Sequence, residues 1–172
     1  SVLLETAHRF QLYDTGPTFG ATFSAARQMV IPSLQHSGGS VVDHLIISHK
    51  DNDHAGGLPD ILEKVPVGRI ILYDECGREW VSDNVKFRTF SALASHPGTL
   101  TSENDRSCLL SIRTHGFHVL LTGDIEAKAE YALLNEGSVT VDVMSVPHHG
   151  SSSSSTPALL NRLKPKLAVV SS

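Results

Sequence analysis

The sequence lacks several features that would assign it to a specialised class of protein. Its 172 residues contain no run of about 18 apolar residues and no N-terminal signal segment, so none of them is expected to span a bilayer. Basic residues are not in excess, because the formal net charge is −4. This argues against a surface that is basic throughout, although it allows a local basic patch. The composition is that of an ordinary globular domain, with 40% hydrophobic and 19% charged residues.

Cysteine is also scarce. The two cysteines, Cys76 and Cys108, are too few for a disulfide scaffold and lack the paired spacing of a zinc ribbon. Cys108 opens an apolar run, which predicts a buried structural thiol. The sequence begins within the apolar run Val2–Leu4 and ends just after Leu167–Val170. We therefore expect residues 1–172 to be a single domain taken from a larger protein.

Apolar and β-branched runs bounded by turn residues predict a mixed sequence of strands and helices. Strands are predicted at Arg9–Tyr13, Val42–Ser48, Arg69–Tyr73, Val85–Thr89, Cys108–Thr114, Val119–Thr122, Val141–Val146 and Leu167–Ser171. Helices are predicted at Thr22–Gln35, Leu58–Lys64, Ile125–Asn135 and Pro157–Leu163, with an interruption at Pro32 and an N-cap at Thr156. A tight hairpin at Thr114–Phe117 makes the sheet partly antiparallel, so the class is mixed α+β.

Potential metal ligands are concentrated directly after the buried strand that ends at Ser48. His49, Asp51, Asp53 and His54 follow within six residues and are closed by two glycines. A loop at the carboxyl end of a strand is a common place for a site. If the loop is extended, His49, Asp51 and Asp53 point to one side and His54 points to another, which would serve two adjacent metals. A plain turn with an Asp N-cap does not require this composition.

Two later strands end in the same kind of residue. Asp124 follows the run Leu120–Gly123, and we interpret it as a carboxylate that bridges two cations rather than as a helix cap. His148 and His149 follow the third strand. Neighbouring histidines rarely bind one metal from the same side, so one is expected to coordinate and the other to orient substrate or transfer protons. The sequence does not decide between them.

The order and spacing of these motifs resemble the metallo-β-lactamase superfamily, and within it the hydrolase domain of the ComEC family of DNA-internalisation competence proteins. Further segments resemble that family in the same order along nearly the whole chain: Leu12–Pro17, Ile31–Leu34, Ile47–His49, Asn104–Ser107 and Thr122–Glu126. The resemblance implies an αββα sandwich whose first strand is missing from this sequence. It also implies one or two divalent metal ions held by His49, Asp51, Asp53, His54, Asp124, His148 and His149.

Two departures from the superfamily pattern affect the choice of metal. The usual first motif has histidine where this sequence has Asp51, and the histidine that usually lies before Asp124 is absent, its place being taken by Glu103–Asp105. Both departures resemble the competence family. Replacing imidazoles by oxygen ligands favours harder ions, so manganese or magnesium becomes as plausible as zinc.

Supporting roles follow from the same resemblance. Asp14 resembles an acid that braces the ligand loop, with a plain turn before Gly16 as the alternative. Asn104 and Ser107 are expected to brace the site or to contact a phosphate. Asp53, His148 and His149 are the expected catalytic residues, and His96, which precedes Pro97, is the one further histidine placed on the substrate side.

The main functional hypothesis is a phosphodiesterase or nuclease that acts on single-stranded DNA during DNA uptake in natural transformation. The first alternative is a metal-poor, non-catalytic domain that guides DNA on a membrane channel, and the second is a hydrolase of small esters or lactams. The parent protein implied by the resemblance is an inner-membrane channel, with this domain on the periplasmic side. Single-stranded DNA and the channel portion are the expected partners.

Overall fold

The computed structural model describes residues 1–20, 22–92, 102–134 and 140–171. Within these ranges the chain divides into two compact units, Ser1–Glu75 and Cys76–Ser172. Both combine strands with helices, as the sequence predicted. The expectation of a single domain over residues 1–172 stays a prediction. Within the described ranges no helix has the length and apolarity needed to cross a membrane.

The first unit contains six strands: β1 (Val2–Glu5), β2 (Phe10–Tyr13), β3 (Thr18–Phe19), β4 (Phe23–Ser24), β5 (Val42–Ile46) and β6 (Val67–Ile71). Four of them form a sheet with the order β1-β2-β5-β6, and β3 pairs with β4 separately. Strand β1 is antiparallel to β2, whereas β2, β5 and β6 are mutually parallel. The helices of this unit are α1 (Ile31–His36), α2 (Asn52–Ala55) and α3 (Leu58–Lys64), with a π-helical turn at Ala26–Val30 and a 3₁₀ turn at Tyr73–Glu75.

The core of the first unit lies between the central parallel strands and the helices that cover them. Leu12 and Leu45, from β2 and β5, are completely buried against Leu34 of α1 and Ile61 of α3. The apolar residues of β5 supply this core, whereas its two polar residues, Asp43 and His44, are partly buried and bind side chains of neighbouring residues. The core therefore holds the carboxyl ends of β2 and β5 rigidly side by side.

Helix formation in the first unit differs from the prediction in two places. The helix predicted at Thr22–Gln35 begins later, because Phe23 and Ser24 pair with β3, and it changes from a π-helical to an α-helical turn beside Pro32. The two-residue alternation of ligands after β5 would require an extended loop through Asp53, and the structure does not have one. Asp51 is the last extended residue, and α2 begins at Asn52 because the amides of His54 and Ala55 donate to the Asp51 carbonyl.

The elements of the second unit are β7 (Glu79–Ser82), β8 (Val85–Phe90), β9 (Leu109–Thr114), β10 (Phe117–Leu121), α4 (Ala127–Leu133), β11 (Val143–Ser145), α5 (Pro157–Leu163) and β12 (Leu167–Val169). The strands form a six-stranded sheet with the order β12-β11-β10-β9-β8-β7. Neighbouring strands from β7 to β10 are antiparallel, and β10, β11 and β12 are parallel. Short 3₁₀ turns occur at Asn104–Arg106 and Pro147–Gly150.

Several local predictions for the second unit are confirmed. Gly116, with φ of +81°, makes the hairpin turn between β9 and β10, and the Thr156 side chain accepts a hydrogen bond from Leu159 at the start of α5. Strand β7 was not predicted, because its four residues, Glu79–Ser82, show no clear alternation of apolar and polar side chains. A core cluster that includes Leu109, Leu120 and Met144 packs beneath α4 and α5. The carboxyl ends of β10 and β11 are thereby fixed.

The prediction that Cys108 is buried is confirmed, but the prediction that it has a free thiol is wrong. Cys108 is fully buried, as expected, but it forms a disulfide with Cys76, with Cα atoms 5.7 Å apart. The bond joins the residue just before β9 to the start of the second unit. The pairing could not be read from the sequence because the two cysteines are 32 positions apart and neither spacing nor number indicated it.

Candidate metal centre

The first group of predicted ligands lies in the first unit, at the carboxyl end of β5, and comprises His49, Asp51, Asp53 and His54. Together with Ser48 we call these residues the β5 cluster. His49 and His54 are buried, with ring centroids 4.1 Å apart, whereas the side chains of Asp51 and Asp53 are about half exposed, at 49% and 50%. Imidazoles therefore form the base of the cluster and carboxylates its open side.

Asp14, at the end of the neighbouring strand β2, holds the β5 cluster in place. Its buried carboxylate accepts hydrogen bonds from the Ser48 amide at 2.7 Å and the Ser48 hydroxyl at 2.9 Å. It also accepts from His54 Nδ1 at 2.8 Å. Ser48 Oγ lies 3.0 Å from His49 Nδ1. Because both Nδ1 atoms are engaged on this side, each ring presents its Nε2 atom to the opposite side.

The Nε2 atoms of the β5 cluster lie beside carboxylate oxygens. His49 Nε2 is 3.7 Å from Asp51 Oδ2, and His54 Nε2 is 3.5 Å from Asp53 Oδ2. Two atoms that bind one divalent ion at about 2.1 Å are about 3.0–3.5 Å apart in octahedral or tetrahedral geometry. Asp51 precedes α2 but its side chain makes no capping hydrogen bond, so a cap does not explain it. The His54–Asp53 pair is at the upper end of this range of distances and the His49–Asp51 pair is about 0.2 Å beyond it, so the donor types and spacing fit a divalent metal after a small movement of the exposed Asp51 side chain.

The second group of predicted ligands lies in the second unit, where β10 and β11 end, and comprises Asp124, His148 and His149. Together with Glu126 we call these residues the β10–β11 cluster. Asp124 Oδ2 is 3.5 Å from His149 Nε2. His149 Nδ1 donates to the carbonyl of Ser171 at 2.8 Å, so this ring is also fixed with its Nε2 atom beside a carboxylate. The pair repeats the arrangement of the β5 cluster.

His148 has different surroundings. Its Nδ1 atom lies 3.2 Å from Glu126 Oε1 and 3.3 Å from Ser153 Oγ, and its Nε2 atom is 3.5 Å from the amide nitrogen of Asn104. An imidazole between a carboxylate and an amide is suited to moving a proton or orienting an oxygen. Within this cluster the geometry thus separates the two histidines that the sequence left equivalent.

The residues Asn104–Ser107 brace the β10–β11 cluster from the 3₁₀ turn before β9. Ser107 Oγ accepts a hydrogen bond from the Asp124 amide at 3.2 Å, and the buried Asp105 carboxylate accepts from the Glu126 amide at 3.0 Å. The N-cap of α4 is Glu126, so Asp124 is not a helix cap, which was the alternative explanation for it. Asp124 itself is 5% exposed.

Sequence reasoning gave no role to three residues that shape these clusters. Ser48 links Asp14 to both histidines, and Glu126 contacts His148 and Ser153. Glu130 is fully buried and accepts hydrogen bonds from the amides of Ser155 and Thr156, which fixes the serine-rich loop. The detectable signal was a glutamate on the buried face of α4, four positions after Glu126. His96 lies outside the described residues.

Comparison with known proteins places these observations in a family. The family model described as metallo-beta-lactamase superfamily matches residues 1–90. The chain is 35% identical over its full length to "Competence protein ComA" of Neisseria gonorrhoeae, of which it covers 25%. It is 36% identical over 94% of its length to "Recombination protein 2" of Haemophilus influenzae, of which it covers 21%. The chain thus spans about a quarter of the length of these relatives.

The solved structures agree on the fold. The metallo-β-lactamase MIM-1 from Novosphingobium pentaromativorans matches 93% of this chain and 78% of its own with a TM-score of 0.58 at 11% identity. At this identity the match concerns the fold alone. It shows that the strands and helices follow the metallo-β-lactamase arrangement, as the sequence motifs predicted.

Proposed function

Because the chain belongs to the metallo-β-lactamase superfamily, we propose that it is a metal-dependent phosphodiesterase that cleaves single-stranded DNA. The superfamily is hydrolytic and binds divalent metals, and the same hydrolase domain occurs in competence proteins. The names of the two relatives refer to competence and recombination, which are both processes that act on DNA. This supports DNA as the substrate rather than a small ester or lactam.

The observation that carries the proposal is the repeated pairing of a fixed imidazole with a carboxylate. His49 and His54 in the β5 cluster, and His149 in the β10–β11 cluster, each present Nε2 within 3.5–3.7 Å of an aspartate oxygen. We propose that the metal ligands are His49, Asp51, Asp53, His54, Asp124 and His149, for one or two ions. A bound divalent ion would lower the pKa of a water and neutralise phosphoryl oxygens.

The remaining polar residues have roles that follow from their contacts. His148, held by Glu126, is positioned to exchange a proton with a substrate or leaving-group oxygen. Asn104, next to His148 Nε2, is a donor suited to a phosphate oxygen. Asp53 is half exposed, so its carboxylate is accessible to hold a water as well as a metal. Asp14 and Ser48 position the histidines without touching substrate.

The carboxylate content of the ligand set favours a hard ion. Asp51 stands where the superfamily pattern has histidine, which makes manganese the preferred ion over zinc. The test is to strip the metal, restore manganese, zinc or magnesium separately, and follow cleavage of labelled single-stranded DNA. We expect manganese to restore activity best. Full activity with zinc alone would overturn the argument from ligand hardness, and failure to bind any metal would favour a non-catalytic domain that guides DNA.

The proposed setting is the periplasmic side of an inner-membrane DNA channel. The Cys76–Cys108 disulfide supports this location, because such bonds persist in oxidising compartments and are rare in the cytosol. The relatives are about four to five times as long as the part that matches, so they contain other parts with which this domain would act. Fractionation and protease accessibility of the full-length protein in cells test the location.

A further inference from the structure

The second unit contains a groove that the proposed metal ligands do not use. It has a volume of about 560 Å³ and lies between one face of strands β7–β10 and the helices α4 and α5. Its floor is apolar and includes Phe90, Leu120 and Leu159. Four cationic side chains line it, Lys86, Arg88, Arg113 and Arg162, against one carboxylate, Glu79. The groove is therefore positive although the chain has a net charge of −4.

The register of the sheet places two of these cations directly opposite each other. Lys86 of β8 pairs with Arg113 of β9, and Arg113 pairs in turn with His118 of β10. Like charges opposite each other in a sheet destabilise it. Within the described ranges no carboxylate forms an ion pair with Lys86 or Arg113. The fold therefore carries an electrostatic cost at this row that an anionic ligand would remove.

A second, independent feature is the side chain of Arg162, which reaches the groove from α5. One of its terminal nitrogens donates to the Leu134 carbonyl at 3.4 Å. Its Nε atom is buried and has no hydrogen-bond partner among the described residues. In the part of the chain that the structure describes, no carboxylate forms an ion pair with Arg162, so its guanidinium adds an uncompensated positive charge to the wall of the groove.

We propose that this groove binds single-stranded DNA at a distance from the scissile bond, with phosphates on Lys86, Arg113 and Arg162 and a base against the apolar floor beside Phe90. The inference rests on the proposed function only in its choice of ligand. An unpaired strand exposes both the aromatic faces that suit the floor and the phosphates that suit the cations. Arg88, whose guanidinium lies 5.4 Å from the Phe90 ring centroid, would extend the stacking surface.

Binding at this site is measured with fluorescently labelled oligothymidylate. Titrating the metal-free protein into the labelled oligonucleotide should raise its fluorescence anisotropy, and the dissociation constant should rise with salt. Metal-free conditions exclude cleavage, so this binding measurement is separate from any measurement of activity.

The test variant is the double charge reversal Lys86→Glu with Arg113→Glu, and the matched control is Lys128→Glu, an exposed lysine of α4 that does not line the groove. We expect the double variant to weaken oligothymidylate binding at least about tenfold and to reduce the salt slope by about 1.4, the value for two lost phosphate contacts with a single strand. The control should retain both values.

Hydrolysis of bis(4-nitrophenyl) phosphate separates this inference from the proposed function. This small diester carries no neighbouring nucleotides that could lie in the groove, so the double variant should hydrolyse it at the wild-type rate while its cleavage of DNA falls. If the protein binds oligothymidylate but hydrolyses neither substrate, the proposed nuclease activity is refuted and the proposed DNA binding in the groove is retained. Unchanged DNA affinity in the double variant, or cosedimentation of the protein with anionic phospholipid vesicles without binding of oligothymidylate, would refute the assignment of the groove to single-stranded DNA.

Discussion

Asp14 and His54 are 40 positions apart in the sequence, yet Asp14 Oδ2 lies 2.8 Å from His54 Nδ1. The contact exists because β2 and β5 are adjacent parallel strands whose carboxyl ends stop at the same edge. Asp14 adopts a positive φ of 60°, and its amide donates to the Ile46 carbonyl at the end of β5. The orientation of a proposed metal ligand is therefore set by the register of the sheet.

Replacing Asp14 by Asn should lower metal affinity. Asparagine keeps the shape of the side chain and tolerates a positive φ, but it cannot hold His54 by a charged hydrogen bond. Loss of such a supporting contact typically costs about 10–100-fold in metal affinity. Competition with a chelating fluorophore measures this. Asp74→Asn, an exposed carboxylate of the same unit, is the control, and wild-type affinity in Asp14→Asn would refute the role of Asp14.

The two neighbouring histidines should behave differently on mutation. His149→Ala should lose metal, because it removes the Nε2 atom that lies 3.5 Å from Asp124 Oδ2. His148→Ala should keep metal and lose DNA cleavage, because its contacts are with Glu126, Ser153 and Asn104. Metal content after dialysis, measured by mass spectrometry beside the cleavage rate, distinguishes them. The reverse pattern would make His148 the ligand.

Asp53→Ala should abolish DNA cleavage and leave the fold almost unchanged. The side chain is half exposed, so its removal should change the free energy of unfolding by no more than about 0.5 kcal/mol. Loss of one carboxylate from a metal site should remove most of the stabilisation of the transition state. Thermal melting and cleavage are compared with those of Asp74→Ala. Retained cleavage with an unchanged melt would reduce Asp53 to a residue of the first turn of α2.

Breaking the Cys76–Cys108 disulfide should destabilise the second unit. The bond closes a loop between positions 32 apart, which corresponds to about 3–4 kcal/mol of unfolding free energy in the chain-entropy model. Urea unfolding of the metal-free protein with and without reductant measures this, with Cys76→Ser as the matched variant. Reductant should not shift the midpoint of Cys76→Ser. An equal midpoint for the oxidised and reduced wild type would exclude a stabilising role.

The stability of the second unit should depend on pH through His118. Burial lowers the pKa of His118 below its ordinary value, although its hydrogen bond to the Thr140 carbonyl opposes this. The unfolded chain then binds more protons, so the stabilisation is complete above the ordinary value of about 6.5 and is lost as the pH falls towards the lower pKa of the folded state.

His118→Gln tests this dependence, because glutamine keeps a polar side chain beside Ser111 without titrating in this range. The free energy of urea unfolding, measured from about pH 7.5 down to about pH 5, should fall less steeply in the variant than in the wild type. His36→Gln, at the exposed end of α1, is the control. Equal slopes for His118→Gln and the wild type would show that His118 does not contribute.

The sequence allowed the parts of the fold that depend on local patterns to be predicted. The hairpin at Gly116, the cap at Thr156 and the buried run of β5 each follow from a few neighbouring residues, and all three are confirmed. The bounds of α2 did not follow, because the Asp51 carbonyl begins a helix where the alternation of ligands suggested an extended loop. Local spacing does not show which carbonyl will accept the first helical hydrogen bond.

The supporting contacts of the candidate site depend on tertiary structure and were only partly predictable. Asp14 was identified by resemblance, but its three hydrogen bonds require the pairing of β2 with β5. The separation of His148 from His149 depends on Glu126 and on the Ser171 carbonyl, which adjacent positions in a sequence cannot reveal. The Cys76–Cys108 bond was missed for the same reason.

The backbone of His148 and His149 is left-handed at two successive positions, with φ of 46° and 52°, and Gly150 continues the turn with φ of 78°. Such a conformation costs an ordinary residue about 1 kcal/mol or more, and glycine would adopt it without this cost. Replacing either histidine by glycine would therefore relieve backbone strain at this turn while removing an imidazole of the proposed site. Under the proposed function, the turn carries this strain because it presents the two imidazoles.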